Sequence, residues 1–221
     1  MKSLFTKTTK LLSAVAIFGA LSANAFTEGK DYMKLENPLP VENNTLTKVF
    51  SYACPFCYKY DKSVTPKVVE KVAGLRYVPF HLKTKGDYGE AGSKILAILA
   101  VKDMKNGTSL LDEKSLFKKA KFAYYKAYHD KKERWDAGKN EAAFLKTGLD
   151  AVGMSMDEYN KELQTPEVQD LLKKWDAAYD VAKIQGVPAF VVNGKYLIYT
   201  SSIKSIDGFA QLIEELLKNR F

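Results

Sequence analysis

Apolar and polar positions follow two rhythms along this chain, one of period two and one of 3.6, and their placement outlines the fold. A short lead strand is expected near YMKLE, followed by a Pro/Asn-rich turn, NPLPVENN. TLTKVFSY, starting at Thr45, combines β-branched and aromatic residues and predicts a central strand running into Cys54. YKYDKSVTPKVVEKV has the spacing of a helix, in which Pro66 should kink or break the path. Gly74 closes it, and LRYVPF reads as a second core strand. Strand, helix, strand makes a βαβ unit.

From Gly86 to about Lys183 several segments have a helical rhythm and no strand is expected. SKILAILAVKDM is apolar and stops before Asn106-Gly107. SLFKKAKFAYYKAY carries Leu116, Phe117 and Ala120 on one stripe, with Tyr124 following at i+4. Ser155 and Glu158 have capping-box spacing. Thr165-Pro166 marks another helix start, and that helix should run through Trp175 towards Ile184. These aromatic and methionine stripes are core, and no cofactor is read from them. Strands return with AFVVN and KYLIY, joined by Asn193-Gly194 as a two-residue turn. Phe209, Leu212, Ile213, Leu216 and Leu217 then form one face of a final helix. The expectation is an α/β protein: a small mixed sheet with helices, interrupted by an all-helical insert. Residues 26–85 and 184–221 form one discontinuous domain, and residues 86–183 form the insertion.

The first 25 residues stand apart. Lys2, Lys7 and Lys10 precede a short apolar run, and Ala23 and Ala25 occupy the small-residue positions of a cleavage site. This is a bacterial secretory signal in form, so a mature protein beginning at Phe26 and exported to the periplasm is expected. The three signal lysines account for part of the formal +8, leaving +5. That excess is too weak and dispersed for a nucleic-acid binder, and it suits an acidic protein partner or solubility. The lysine-rich run KKAKFAYYKAYHDKKERW reads as a solvated helix face.

Cysteine usage changes the picture most. Cys54 and Cys57 are the only two in 221 residues. Exported chains stabilised by disulfides carry several pairs, and closing so short a loop gains little. A metal site is short of ligands, because only His81 and His129 are present and neither has ligand spacing to the cysteines. A redox pair remains. Pro55 suits the first position of a helix, which puts Cys54 at the N-cap, where its sulfur can accept from the N–H groups of Phe56 and Cys57. The helix dipole adds partial positive charge there. Both effects favour the thiolate, so the Cys54 pKa should lie well below the free-thiol value of about 8.5. Each unit of such stabilisation favours the dithiol by about 30 mV, which makes the disulfide the form to be given away. Far along the chain, GVPAF offers a candidate cis bond before Pro188. In that form the Val187 backbone would present a short edge to an extended peptide.

FSYACPFCYKY, GVPAFVVNGKY and the helical insert between them resemble the DsbA family of periplasmic thiol-disulfide oxidoreductases, over nearly the whole chain from EGKDYMKLENPLP onward. The resemblance implies a thioredoxin fold with an inserted helical domain. It implies disulfide donation to exported cysteine-containing proteins, without a cofactor, and reoxidation by a quinone-linked inner-membrane partner of the DsbB type. Carried over by position, Cys54 is the nucleophile, Cys57 the resolving cysteine and Pro188 the cis-proline. Two positions depart from the family pattern. Phe56 stands where familiar members have a thiolate-stabilising histidine, and Lys48 stands where they have a buried acid. A lysine there would either stabilise the thiolate or reach solvent at the strand's edge. The Pro55-Phe56 dipeptide and basic balance are similar to the DsbL branch, which is paired with its own membrane oxidase, DsbI, and serves an arylsulfate sulfotransferase. Two other readings stand beside the oxidase: an isomerase or reductase of the same fold, and a non-redox chaperone. Isomerases of the DsbC type add an N-terminal dimerisation domain, whereas about twenty residues precede the active-site strand here. That pattern favours a monomer.

Overall fold

The computed structural model describes residues 26–218, so the expected secretion signal lies outside the described residues. Five strands form one mixed sheet: β1 (Tyr32–Lys34), β2 (Thr45–Phe50), β3 (Arg76–His81), β4 (Ala189–Val192) and β5 (Tyr196–Ile198). Their spatial order is β1-β5-β4-β2-β3. β2 and β3 run parallel, as the βαβ reading requires, and every other pairing is antiparallel. All six residues of β2 are buried, because neighbours lie on both edges and helices cover both faces. On one face Leu46, Phe190 and Val192 pack with Val68, Phe209, Leu212, Ile213 and Leu216. On the other, Val49, Val191 and Leu197 meet the helical insert.

The turn between β4 and β5 is one residue longer than expected. Asn193 and Gly194 both have positive φ, +52° and +67°, as Asn-Gly favours, but Val192 pairs with Tyr196, so Lys195 joins them in the loop. A side chain at Gly194 would meet the Leu39 carbonyl at 2.5 Å, which fixes glycine there. The Asn193 side chain accepts from the Asn44 backbone N–H at 2.7 Å, tying the hairpin to the entry of β2.

α1 (Pro55–Ser63) and α2 (Thr65–Lys71) are two helices, divided at Val64. Pro66 sits in the first turn of α2, so the expected break occurs where a missing N–H costs least. The insert comprises α3 (Gly89–Lys105), α4 (Leu116–Tyr125), α5 (Glu141–Asp150), α6 (Met156–Leu163) and α7 (Pro166–Trp175). α3 is its axis, buried along most of its length. α8 (Ala178–Gln185) leads back to the sheet and α9 (Ile206–Lys218) ends the described chain. Among the described residues no helix is long and apolar enough to cross a membrane.

Two further features differ from the sequence expectation. The helix expected to run from Pro166 towards Ile184 stops at Trp175, where Asp176 and Ala177 bond to carbonyls three residues back and tighten the last turn. Helix α5 was not expected. Its apolar face is short and includes Gly148, whose added Cβ would collide with the Tyr124 ring. Glycine in that helix weakens the propensity signal while permitting close α4–α5 packing.

Candidate active site

The end of β2 and the start of α1 bring the two cysteines together. They are joined as a disulfide with Cα atoms 5.2 Å apart. Cys54 is the N-cap of α1, in extended conformation, and Pro55 is the first helical residue. Of the two N–H groups expected to reach the cap, that of Cys57 donates to the Cys54 sulfur at 3.1 Å. Cys54 is 2% exposed and Cys57 is wholly buried, whereas Phe56 is 62% exposed and projects outward beside them. Across the chain, the Val187–Pro188 peptide bond is cis. The Val187 carbonyl oxygen lies 3.3 Å from the Cys54 sulfur. Residues more than 130 positions apart thus meet at one reactive atom.

Lys48 does not reach solvent. It is fully buried, donates to the Cys57 carbonyl at 3.1 Å and pairs with the Asp61 carboxylate at 2.7 Å. β2 is an interior strand, so a side chain on either face points into protein, and the edge position assumed for the solvent reading does not exist. Burial lowers the Lys48 pKa to about 8, against the upward pull of Asp61. Asp61, four residues after Cys57 on α1, also holds Lys121 of α4 at 3.2 Å. Lys121 is an exception to the solvated lysine run, being 1% exposed. Burial pushes the Asp61 carboxyl up, but Lys121 and Lys48 more than offset it and hold the group below its usual range. Tyr125 completes the cluster, its hydroxyl donating to Asp61 at 2.9 Å.

A second contact from the insert grips the motif from outside. α4 continues into a π-helical turn, Lys126–Asp130, a distortion frequent at functional sites. From it the His129 ring donates through Nε2 to the Tyr52 carbonyl at 2.9 Å, and Asp130 accepts from the Tyr58 hydroxyl at 2.9 Å. Both flanks of the Cys54–Cys57 segment are thereby held. His81 is buried on the other side of Tyr52, its Nδ1 2.7 Å from the Ser93 hydroxyl. Burial lowers its pKa to about 3, so it is neutral.

The structure brings together Cys54, Cys57, Pro55, Phe56, Val187, Pro188 and Lys48, the residues singled out from the sequence, and adds Asp61, Lys121 and Asp130, with His129, weighed above only as a metal ligand. For Asp61 a signal existed: an acid at i+4 from Cys57 on the active-site helix lies on the same face. For the other three no local pattern marks them.

Comparison with known proteins supports the chemistry. Residues 45–214 match the DSBA-like thioredoxin domain family. The thiol:disulfide interchange protein DsbL of Lelliottia amnigena is 64% identical over 95% of this chain and 94% of its own. The crystal structure of DsbL from Salmonella enterica serovar Typhimurium superposes with a TM-score of 0.87 at 63% identity, covering 90% of this chain and all of that one. The thiol:disulfide interchange protein DsbA of Yersinia pestis is 26% identical over 90% of this chain and 91% of its own. A disulfide at a helix N-terminus, on a thioredoxin fold carrying a helical insertion, thus has both distant and near relatives. The chain belongs to the DsbA family of thiol:disulfide oxidoreductases and stands with its DsbL branch.

Proposed function

We propose that the protein is an oxidase, donating its Cys54–Cys57 disulfide to exported cysteine-containing proteins. A client thiolate attacks the Cys54 sulfur, the Cys54–Cys57 bond breaks, and Cys57 leaves with the electron pair. The second client thiolate then attacks the client sulfur of the mixed disulfide, and Cys54 departs as a thiolate. The client has lost two electrons and two protons; the protein has gained the electrons, one proton resides on Cys57 and the other passes to solvent. One observation carries the direction: the Cys54 sulfur is the cap of α1 and accepts the Cys57 N–H. Stabilising the departing thiolate stabilises the reduced protein, so the disulfide is the high-energy form. The Val187 backbone and Pro188, beside the same sulfur, would hold the client as an extended segment.

The setting proposed with this activity is the periplasm, with the protein monomeric and reoxidised by an inner-membrane, quinone-linked oxidase of the DsbB or DsbI type. Similarity to DsbL proteins supports an arylsulfate sulfotransferase as a dedicated client. The domain division at residues 85/86 and 183/184 is kept as part of this reading, with α8 spanning the second boundary. The test is the redox equilibrium with glutathione, measured alongside thiolate absorbance against pH. An oxidase requires an equilibrium strongly favouring the dithiol and a Cys54 pKa several units below about 8.5. A thioredoxin-like equilibrium with a pKa near that of a free thiol would transfer the protein to the reductase or isomerase class. A reduced Cys54 that resists alkylation at pH 6 would leave only the chaperone reading.

A further inference from the structure

The buried cluster behind the cysteines contains more positive than negative charge. Lys48 comes from β2, Asp61 from α1 and Lys121 from α4, and all three are 3% exposed or less. Lys48 and Asp61 alone would make a neutral pair at 2.7 Å. Lys121, at 3.2 Å from the same carboxylate, is a second cation on one anion. Burial lowers the Lys121 pKa, and the Asp61 carboxylate and the surrounding rings act against that loss of charge. The Lys121 ammonium lies 5.1 Å from the ring centre of Phe117, 5.5 Å from Phe50, and 5.7 Å from both Tyr77 and Phe122. Four aromatic faces around an ammonium make a cation cage, and the carboxylate closes it. The other groups facing the cluster are the buried phenols of Tyr125 and Tyr77, with Lys118 acting on Lys121 from the same helix.

We propose that Lys121, supplied by the helical insert, is a positioning residue for disulfide exchange: it leaves the buried cluster with one positive charge in excess, and that charge stabilises the Cys54 thiolate once the disulfide has been given away. The coupling runs through Lys48, whose ammonium donates to the Cys57 carbonyl. Among the described residues Asp61 is the one carboxylate paired with either lysine, so in the oxidised protein the excess stands without a second anion. Two electrons from the client dithiol create one, the Cys54 thiolate, while Cys57 takes a proton. Reduction therefore neutralises a buried charge imbalance. This chain has Phe56 where relatives have a histidine, and the insert provides the missing cation from behind. The inference rests on Cys54 being the exchanging sulfur.

A unit charge acting across about 10 Å at an effective dielectric near 20 changes an equilibrium constant about tenfold. Lys121→Met is accordingly expected to raise the Cys54 pKa by about one unit. The glutathione equilibrium should move about tenfold towards the disulfide. Lys121→Arg, which keeps the charge, should restore both values. Lys48→Met should give the same shift as Lys121→Met, since either change leaves one lysine on Asp61. A wild-type protein that is itself thioredoxin-like would reject the oxidase reading. An oxidising wild type whose pKa and equilibrium are unmoved by Lys121→Met, or moved only by Lys48→Met, would overturn the role of Lys121 alone. Should Lys121→Met lose its native near-UV circular dichroism, the same linkage is read in the wild type by NMR of the lysine Nζ groups. Their titrations should lie about one unit higher in the reduced than in the oxidised protein. Identical titrations in the two states would overturn the proposal.

Discussion

Asp61 and Asp103 are both carboxylates with almost no exposed surface, 3% and 2%, yet they are satisfied in opposite ways. Asp103, near the end of α3, accepts from the Ser115 hydroxyl and from the backbone N–H groups of Leu116 and Phe117 at 2.7 to 3.0 Å. Its donors are neutral, and it caps α4, where a negative charge complements the helix N-terminus. Asp61 is bound by two ammonium groups and a phenol, and the site keeps a surplus of positive charge. Both arrangements hold structure together, but only the second creates a field that a thiolate can use. Burial of a charge is therefore a weak marker of function; the charge left after pairing is the informative quantity.

Removing each carboxylate separates the two roles. Asp61→Ala leaves two buried lysines without their anion and is expected to cost about 3–5 kcal/mol, read by denaturant unfolding. The redox equilibrium should move with it, because the lysines must lose protons to remain buried. Asp103→Ala is expected to cost about 2–3 kcal/mol by stranding the α4 cap donors, with the glutathione equilibrium unchanged. A redox shift in that variant would erase the contrast.

Titration provides a second separation. The Asp61 pKa lies below its model-peptide value of 3.8, so its contribution to stability is present above that value and is lost as pH falls through the folded pKa. Lys48 works at the other end. Its folded pKa, about 8, is below the unfolded value of 10.5, so between them the unfolded chain holds the extra proton. Stability should therefore gain a rising component with pH across that window, and Lys48→Met should remove it, as seen in the pH dependence of unfolding. The smallest effect concerns an exposed cap. Ser155 accepts from the Glu158 N–H at 3.1 Å, and Ser155→Ala should cost about 1 kcal/mol with no redox consequence.

Much of this was legible in the sequence because the relevant signals are local. Cys-Pro-Phe-Cys after a β-branched run, Asn193-Gly194 between apolar segments, and the periodic face of α9 each declare themselves within about a dozen residues. Lys48 was visible as an anomaly, but its environment was not. That depended on Asp61, a helical turn beyond Cys57, and on Lys121, buried in a stretch whose other lysines are mostly exposed. Pattern cannot distinguish the lysine that faces inward when apolar neighbours surround both kinds. His129 and Asp130 were hidden for a related reason: a π turn shifts the angular positions that a 3.6 period would assign. The close fit at Gly148 likewise obscured α5.

The pairing of β2 carries a consequence for how the protein is assembled in time. The bond from Asn44 to Asn193 joins residues 149 apart, and β4 takes its place beside β2 only after the entire insert has been made. A chain growing from its N-terminus can pair β2 with β3 early, but one edge of its central strand then waits exposed. Contacts of such long sequence separation form slowly. The helices α3 to α7, by contrast, can settle largely on one another while the sheet is still open. The contact of the Val187 carbonyl with Cys54 spans 133 residues, so it must wait for the segment that follows the insert. Until then the cysteines have a helix N-terminus but no edge on which to receive a client.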